Sequence, residues 1–154
     1  MSLALPTECH VTPGLRLEHQ LCFRLYASSR LITRLYQPLL EPLGLTYPQY
    51  IVLMILWEKA PCSMTTIGER ALLNSNTLTP LIKRLEERGL VSRRRDPADE
   101  RTVLISLTEQ GQAMELSCQS IPRQLLEQQQ HAAFDVAALK KLLDQLLGIL
   151  SKAP

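Results

Sequence analysis

Apolar residues recur at helical spacing along most of the chain. Between residues 21 and 39 they fall three or four positions apart, and no Gly or Pro interrupts this run before Pro38. That spacing is typical of a helix that packs along one side. Residues 50–57 are mostly apolar, as expected of a buried helix, and Thr108 and Asp135 can each cap a further amphipathic helix. The pattern predicts a mainly α-helical protein.

The middle of the chain predicts two short helices joined by a polar turn. Thr66 and Glu69 resemble a capping box that opens the first helix, which is expected to run to Leu73. Residues 74–76 supply the turn, and Gly89 ends the second helix. This arrangement predicts a helix–turn–helix.

Two strands are predicted directly after the second short helix. They cover residues 90–95 and 102–107, and the turn-rich loop 96–101 joins them into a β-hairpin, or wing. Residues 60–63 are expected to be a plain connector. The predicted fold is therefore mainly α with a small β-hairpin, a winged helix–turn–helix.

Composition narrows the class of protein only modestly. A chain of 154 residues is long enough for one domain with an adequate core. Its four cysteines form no CxxC pair and no metal-ligand spacing with histidine, which favours reduced thiols in the cytoplasm. No signal peptide, membrane span or cofactor motif is recognised.

Positive charge is concentrated beside the helix–turn–helix. The net charge is only +2, yet residues 83–95 hold six basic and two acidic residues, a local charge of +4. The outward face of the second helix combines this charge with hydroxyl and amide groups that suit base edges and phosphates of double-stranded DNA. The predicted DNA contacts on this helix and the first wing strand are Ser75, Asn76, Thr77, Thr79, Lys83, Arg84, Arg94 and Arg95.

The chain is thus expected to be one domain with separate DNA-binding and pairing parts. The leucine-rich terminal helices have no internal partner left in so small a domain, which suggests a homodimer interface. The expected parts are a single domain 1–154, a DNA-binding core 46–107 with its wing at 90–107, and dimerisation helices 15–42 and 108–152.

Cys22 carries the candidate chemistry. A thiol that senses an oxidant must be held as thiolate, and tyrosine hydroxyls can donate hydrogen bonds to that anion. Tyr26 lies one helical turn beyond Cys22, whereas Tyr36 shares the face but would be about 21 Å away along a straight helix. Contact with Tyr36 needs a break in the helix or a second copy of the chain. Tyr47 follows in the next predicted element.

The order of elements resembles the MarR family of dimeric transcription regulators. The wing loop Asp96–Arg101 and the stretch Leu107–Gly111 are similar to that family's most recognisable segment. Three further stretches, Gln20–Phe23, Leu45–Tyr50 and Thr77–Leu81, resemble its organic hydroperoxide sensors. The resemblance extends over about residues 17–150.

This resemblance implies roles for individual residues. It implies that Cys22 is the peroxide-sensing thiol and that Tyr36 and Tyr47 of the second subunit bind its sulfur, with Tyr26 nearby. It implies that Arg101 enters a minor groove while Asp99 holds its guanidinium.

The fate of the oxidised thiol stays open at this point. Sensors of the two-cysteine type carry a resolving cysteine near the end of the fifth helix, but residues 120–135 contain none. Cys118 is either that resolving thiol or a small buried core residue, and a small cellular thiol could form the adduct instead. No role is assigned to Cys9 or Cys62.

The leading interpretation is a repressor that leaves its operator when an organic hydroperoxide oxidises Cys22. A second interpretation keeps the fold but makes a small aromatic ligand in the dimer cleft the inducer. A third is a thiol peroxidase, for which a winged helix would be surplus.

Overall fold

A computed structural model describes residues 12–128 and 135–152, so Cys9 lies outside the described residues. The described chain is mostly helical with one small antiparallel sheet. The helices are α1 Leu21–Leu40, α2 Tyr47–Lys59, α3 Met64–Ala71, α4 Ser75–Glu87, α5 Glu109–Cys118, α6 Ile121–Gln128 and α7 Val136–Leu150. The strands are β1 Cys62–Ser63, β2 Val91–Arg95 and β3 Val103–Leu107.

The chain divides into two compact units, one ending at Ile121 and one beginning at Pro122. The core of the first unit is formed by α2, the helix–turn–helix and the sheet. Leu53 and Leu56 of α2, Ile82 and Leu85 of α4, and Ile105 of β3 are all fully buried. The apolar stripe predicted for the second short helix is therefore its core side, and the winged helix–turn–helix is confirmed.

A sharp corner joins α1 to α2. Helix α1 continues through Pro38 and is followed by a 3₁₀ turn, Glu41–Leu43, which Gly44 ends in a left-handed conformation at φ 65°. Thr46 then caps α2 in a capping box. The Gln49 side chain accepts a hydrogen bond from the Thr46 backbone amide at 2.9 Å, and the Thr46 side chain accepts one from the Gln49 backbone amide. This corner brings the end of α1 against the start of α2.

The first helix of the helix–turn–helix starts earlier than predicted. Its N-cap is Ser63, whose Oγ accepts a hydrogen bond from the backbone amide of Thr66 at 3.1 Å. Thr66 is therefore the third helical residue, and the helix ends at Ala71 rather than Leu73. Asn74 caps α4 as expected, accepting from the Thr77 amide at 2.9 Å.

The predicted connector at 60–63 contains a strand. Cys62 and Ser63 pair with Ile105 and Leu104, so the sheet has three strands in the order β1-β3-β2. A two-residue strand is too short to leave an alternating pattern. It forms because β3 offers its second edge once β2 occupies the first.

The fifth helix is also interrupted. One amphipathic helix was expected after Thr108, but α5 ends at Cys118 and α6 starts at Ile121. Proline has no N–H to bond the carbonyl four residues back, which is that of Cys118, and it is tolerated only in the first turn of a helix. Asp135 caps α7 as predicted, through the Ala138 amide at 2.9 Å.

Among the described residues no single helix is long and apolar enough to cross a membrane. The pair Leu21–Leu43 and Tyr47–Lys59 reaches the length and composition only as a unit bent by 75°.

Candidate redox site and DNA-binding surface

An aromatic cluster lies where α1 meets α2. The ring centroids of Tyr36 and Tyr47 are 4.7 Å apart, and that of Tyr50 is 6.0 Å from Tyr36. Trp57 lies further along α2 and continues the cluster, with its ring centroid 6.2 Å from that of Tyr50. Tyr47, Tyr50 and Trp57 lie on α2. The corner at Gly44 brings Tyr36 of α1 against them.

Burial keeps the hydroxyls of this cluster protonated. The pKa of Tyr36 is raised by burial and by Tyr47, and burial also raises the pKa of Tyr47. The pKa of Tyr50 rises to about 12 through burial, Tyr36, Cys118 and Tyr47. A protonated phenol is a hydrogen-bond donor, so Tyr36 and Tyr47 present two donors at one place.

Cys22 lies at the opposite end of α1 from these donors. It is exposed in the first turn of the helix. Tyr26, one turn on, is 62% exposed, and its ring contacts Phe23 at 6.4 Å. Because α1 is unbroken from Leu21 to Leu40, Cys22 and Tyr36 of one chain stand about 21 Å apart. The structure brings Tyr36 and Tyr47 together but keeps both away from their own Cys22.

Helix α1, which carries Cys22 and Tyr36, also leaves an apolar surface open. Leu21, Leu31 and Ile32 are 63%, 56% and 42% exposed in the single chain. Helix α7 has the same character, with Leu142 and Ile149 at 62% and 69%. Apolar surface of this extent on helices is typical of an interface with another protein.

The other described cysteines are buried. Cys118 is 2% exposed, and burial raises the pKa of the Cys118 thiol. Cys62 is 4% exposed, and its thiol donates to the carbonyl of Lys59 at 2.5 Å. Cys118 therefore packs within the hydrophobic core of the chain.

The predicted DNA-contacting face of α4 is open to solvent. The side chains named from the sequence on this helix are all exposed, on the side opposite the buried leucines. They are Ser75, Asn76, Thr77, Thr79, Lys83 and Arg84. Lys83 pairs with Glu87 at 3.8 Å, a surface contact that leaves its ammonium accessible.

The wing loop is held by Asp99. Its carboxylate accepts from the Arg101 backbone amide at 3.1 Å and from the Thr102 hydroxyl at 2.9 Å. The resemblance implied a contact with the Arg101 guanidinium, but no ion pair among the described residues joins the two side chains. The short Asp99 side chain reaches the amide two residues on, which shapes the tip and leaves the Arg101 side chain exposed. Arg94 and Arg95 are exposed as well, and Arg95 donates to the carbonyl of Glu100.

Two of the six basic residues at positions 83–95, Arg88 and Arg93, make contacts within the protein. Arg93 pairs with Glu86 at 2.8 Å. Arg88 donates to the carbonyl oxygens of Leu43, at 2.8 Å, and of Gly44. Arg88 was expected to add to the positive charge of residues 83–95. Its partners lie more than forty positions away along the chain, so no local sequence pattern indicates this contact.

No group of three His, Cys, Asp or Glu side chains in the described ranges is arranged to hold a metal ion.

Comparison with known proteins identifies the family. A family model described as transcriptional regulator SarA/Rot matches residues 34–115. An organic hydroperoxide resistance transcriptional regulator of Bacillus subtilis (strain 168) is 46% identical over 136 residues, covering 88% of this chain and 92% of the relative. The chain belongs to the MarR family of transcriptional regulators, in its organic hydroperoxide sensor subgroup.

Solved structures agree with this family assignment. Reduced AbfR bound to DNA superposes with a TM-score of 0.74 at 36% identity, over 90% of this chain and 94% of AbfR, a protein known from Staphylococcus epidermidis. A disulfide-formed AbfR superposes with a TM-score of 0.61 at 37% identity, over 89% and 94% of the two chains. The relatives are transcription regulators, which confirms a regulator rather than a thiol peroxidase.

Proposed function

We propose that this member of the family is a homodimeric repressor that binds double-stranded operator DNA when reduced and leaves it when an organic hydroperoxide oxidises Cys22. The name of the Bacillus subtilis relative supports the hydroperoxide, and the DNA-bound AbfR structure supports the DNA. The cytoplasm, with its reduced thiols and the chromosome, is the proposed location.

The homodimer is supported by one observation above all. The donors Tyr36 and Tyr47 form a ready pair, but about 21 Å of continuous helix separates them from the only exposed described cysteine, Cys22. A second copy, packed on the open apolar face of α1, places its Cys22 against this pair. The sensing site is then complete only in the dimer, with Tyr26 beside the sulfur.

The proposed chemistry begins with the Cys22 thiolate. The sulfur attacks one peroxide oxygen, the O–O bond breaks, and the alcohol leaves with a proton while Cys22 becomes a sulfenate. The sulfenate takes a proton from solvent to become the sulfenic acid, a second thiol attacks its sulfur, the S–O bond breaks, and water leaves as the disulfide forms. A small cellular thiol suits this step better than buried Cys118, whose raised pKa keeps it a poor nucleophile.

The same assembly positions the DNA contacts. In a dimer the two α4 helices enter major grooves, and the wings reach the flanking minor grooves. The exposed polar side chains of α4 read bases and bind phosphates, and Arg94, Arg95 and Arg101 supply charge along the wing. Asp99 contributes by holding the loop that presents Arg101.

Replacement of Cys22 tests the proposal. A DNA duplex selected from random sequence by the reduced protein is bound, and cumene hydroperoxide with cysteine is then added. The parent protein is expected to release the DNA, whereas Cys22→Ser keeps it, because a hydroxyl fills the site but is not oxidised. Release by the serine variant would reject the thiol switch and leave the small-ligand interpretation.

A further inference from the structure

Arg88 joins the recognition helix to the corner between α1 and α2. It is the C-cap residue of α4, with its backbone amide bonded to the carbonyl of Arg84 at 3.2 Å. Its guanidinium donates to the carbonyls of Leu43 and Gly44. One side chain thereby fixes the end of the DNA-reading helix to a loop more than forty positions earlier.

The corner that Arg88 holds also fixes the tyrosine pair. Tyr47 is the first residue of α2 and lies three positions after Gly44. Tyr36 lies on the last turns of α1, just before the corner. The two tyrosine rings pack against each other at 4.7 Å, across the peptide units of the corner that join them in sequence. Those units include the two carbonyls that accept from Arg88.

The Arg88 guanidinium packs closely against the backbone of the corner. Gly44 has a φ of +65°, and a Cβ built there would lie 3.0 Å from an Arg88 guanidinium nitrogen. The guanidinium therefore lies directly against the backbone, where a planar fork with two donors can serve two neighbouring carbonyls at once. A carbonyl that moves must move the guanidinium with it or lose a charge-assisted hydrogen bond.

We propose that Arg88 is the positioning residue that passes a change at Tyr36 and Tyr47 to the recognition helix. This inference rests on the proposed redox function. In the reduced dimer the tyrosines are held by the thiolate, the corner is fixed, and Arg88 keeps α4 at the angle that DNA requires. Oxidation frees the tyrosines, the corner shifts, and α4 follows through Arg88.

The test compares affinities of reduced and oxidised protein for the same selected duplex. In Arg88→Met, which keeps the stem but not the donors, the ratio of oxidised to reduced Kd should fall about tenfold, within the usual range of coupling between two sites. The rate of Cys22 oxidation, followed by mass spectrometry, should stay within about twofold of the parent. Arg88→Lys retains the charge but not the fork, so its ratio should be intermediate.

Arg93→Met is the matched control. Arg93 pairs with Glu86 near the same end of α4, and no hydrogen bond or ion pair among the described residues joins it to the corner, so its ratio of oxidised to reduced Kd should equal that of the parent. An Arg88→Met protein that weakens both affinities equally would reduce Arg88 to a structural role and overturn the inference. If Arg88→Met does not fold, an unchanged ratio in Arg88→Lys has the same consequence. A parent protein that never releases DNA would instead reject the redox function itself.

Discussion

The sharpest prediction concerns the hydroxyl of Tyr47. In Tyr47→Phe the ring and its 4.7 Å contact with Tyr36 are retained, but one donor to the Cys22 thiolate of the second subunit is lost. A hydrogen bond to a charged group contributes about 1.5–3 kcal/mol, and the lower end applies to a half-buried site. Since about 1.4 kcal/mol is a factor of ten, the share of Cys22 held as thiolate, and with it the oxidation rate, should fall by up to about tenfold.

The assay is the rate of Cys22 oxidation by cumene hydroperoxide, read from the mass of quenched samples. Tyr36→Phe should behave like Tyr47→Phe, because it removes the other donor of the pair. Tyr50→Phe is the control, since its ring belongs to the same cluster but its hydroxyl has no proposed contact with sulfur. Equal slowing in all three variants, or none in any, would refute the assignment of the donors.

Other predictions address the DNA surface and the packing. Arg101→Ala should weaken operator binding by about 1–3 kcal/mol in a titration at constant salt, and an unchanged Kd would remove it from the interface. Lys83→Ala should weaken binding equally for selected and unrelated DNA and lower the salt dependence by about one counterion per subunit, unless Lys83 makes no phosphate contact. Gly111→Ala should lower the thermal midpoint or prevent folding, because its Cβ would lie 1.9 Å from the Leu90 carbonyl oxygen; an unchanged midpoint would contradict that packing.

Periodicity predicted the elements whose side chains alternate between core and solvent. The stripe of α4 is the clearest case, because Leu78, Ile82 and Leu85 are buried while Thr79 and Lys83 between them are exposed. The caps at Thr108 and Asp135 were equally predictable, since each depends only on a backbone amide three positions away. Local physics is sufficient for these features.

Contacts between distant segments left no such signal. Strand β1 forms because β3 has a free edge. The position of the Arg88 side chain depends on hydrogen bonds to the carbonyls of Leu43 and Gly44. The Leu107–Gly111 stretch was recognised by resemblance, but its physical reason became visible only in three dimensions. Thr108 accepts from the Gly111 amide at 3.0 Å, Trp57 donates to the Gly111 carbonyl at 3.0 Å, and no side chain fits at Gly111.

The fate of oxidised Cys22 follows from the burial of Cys118. A disulfide needs Cα atoms within about 7 Å and a thiolate to attack, but Cys118 is 2% exposed and burial raises its pKa, which disfavours the thiolate. Peroxide followed by excess cysteine should therefore give a Cys22–cysteine adduct that migrates as a monomer on a non-reducing gel. Cys118→Ser should form this adduct at the parental rate, because the buried thiol takes no part. A cross-linked dimer in the parent that disappears in Cys118→Ser would show that the core opens after oxidation, and would restore Cys118 as the resolving thiol between subunits.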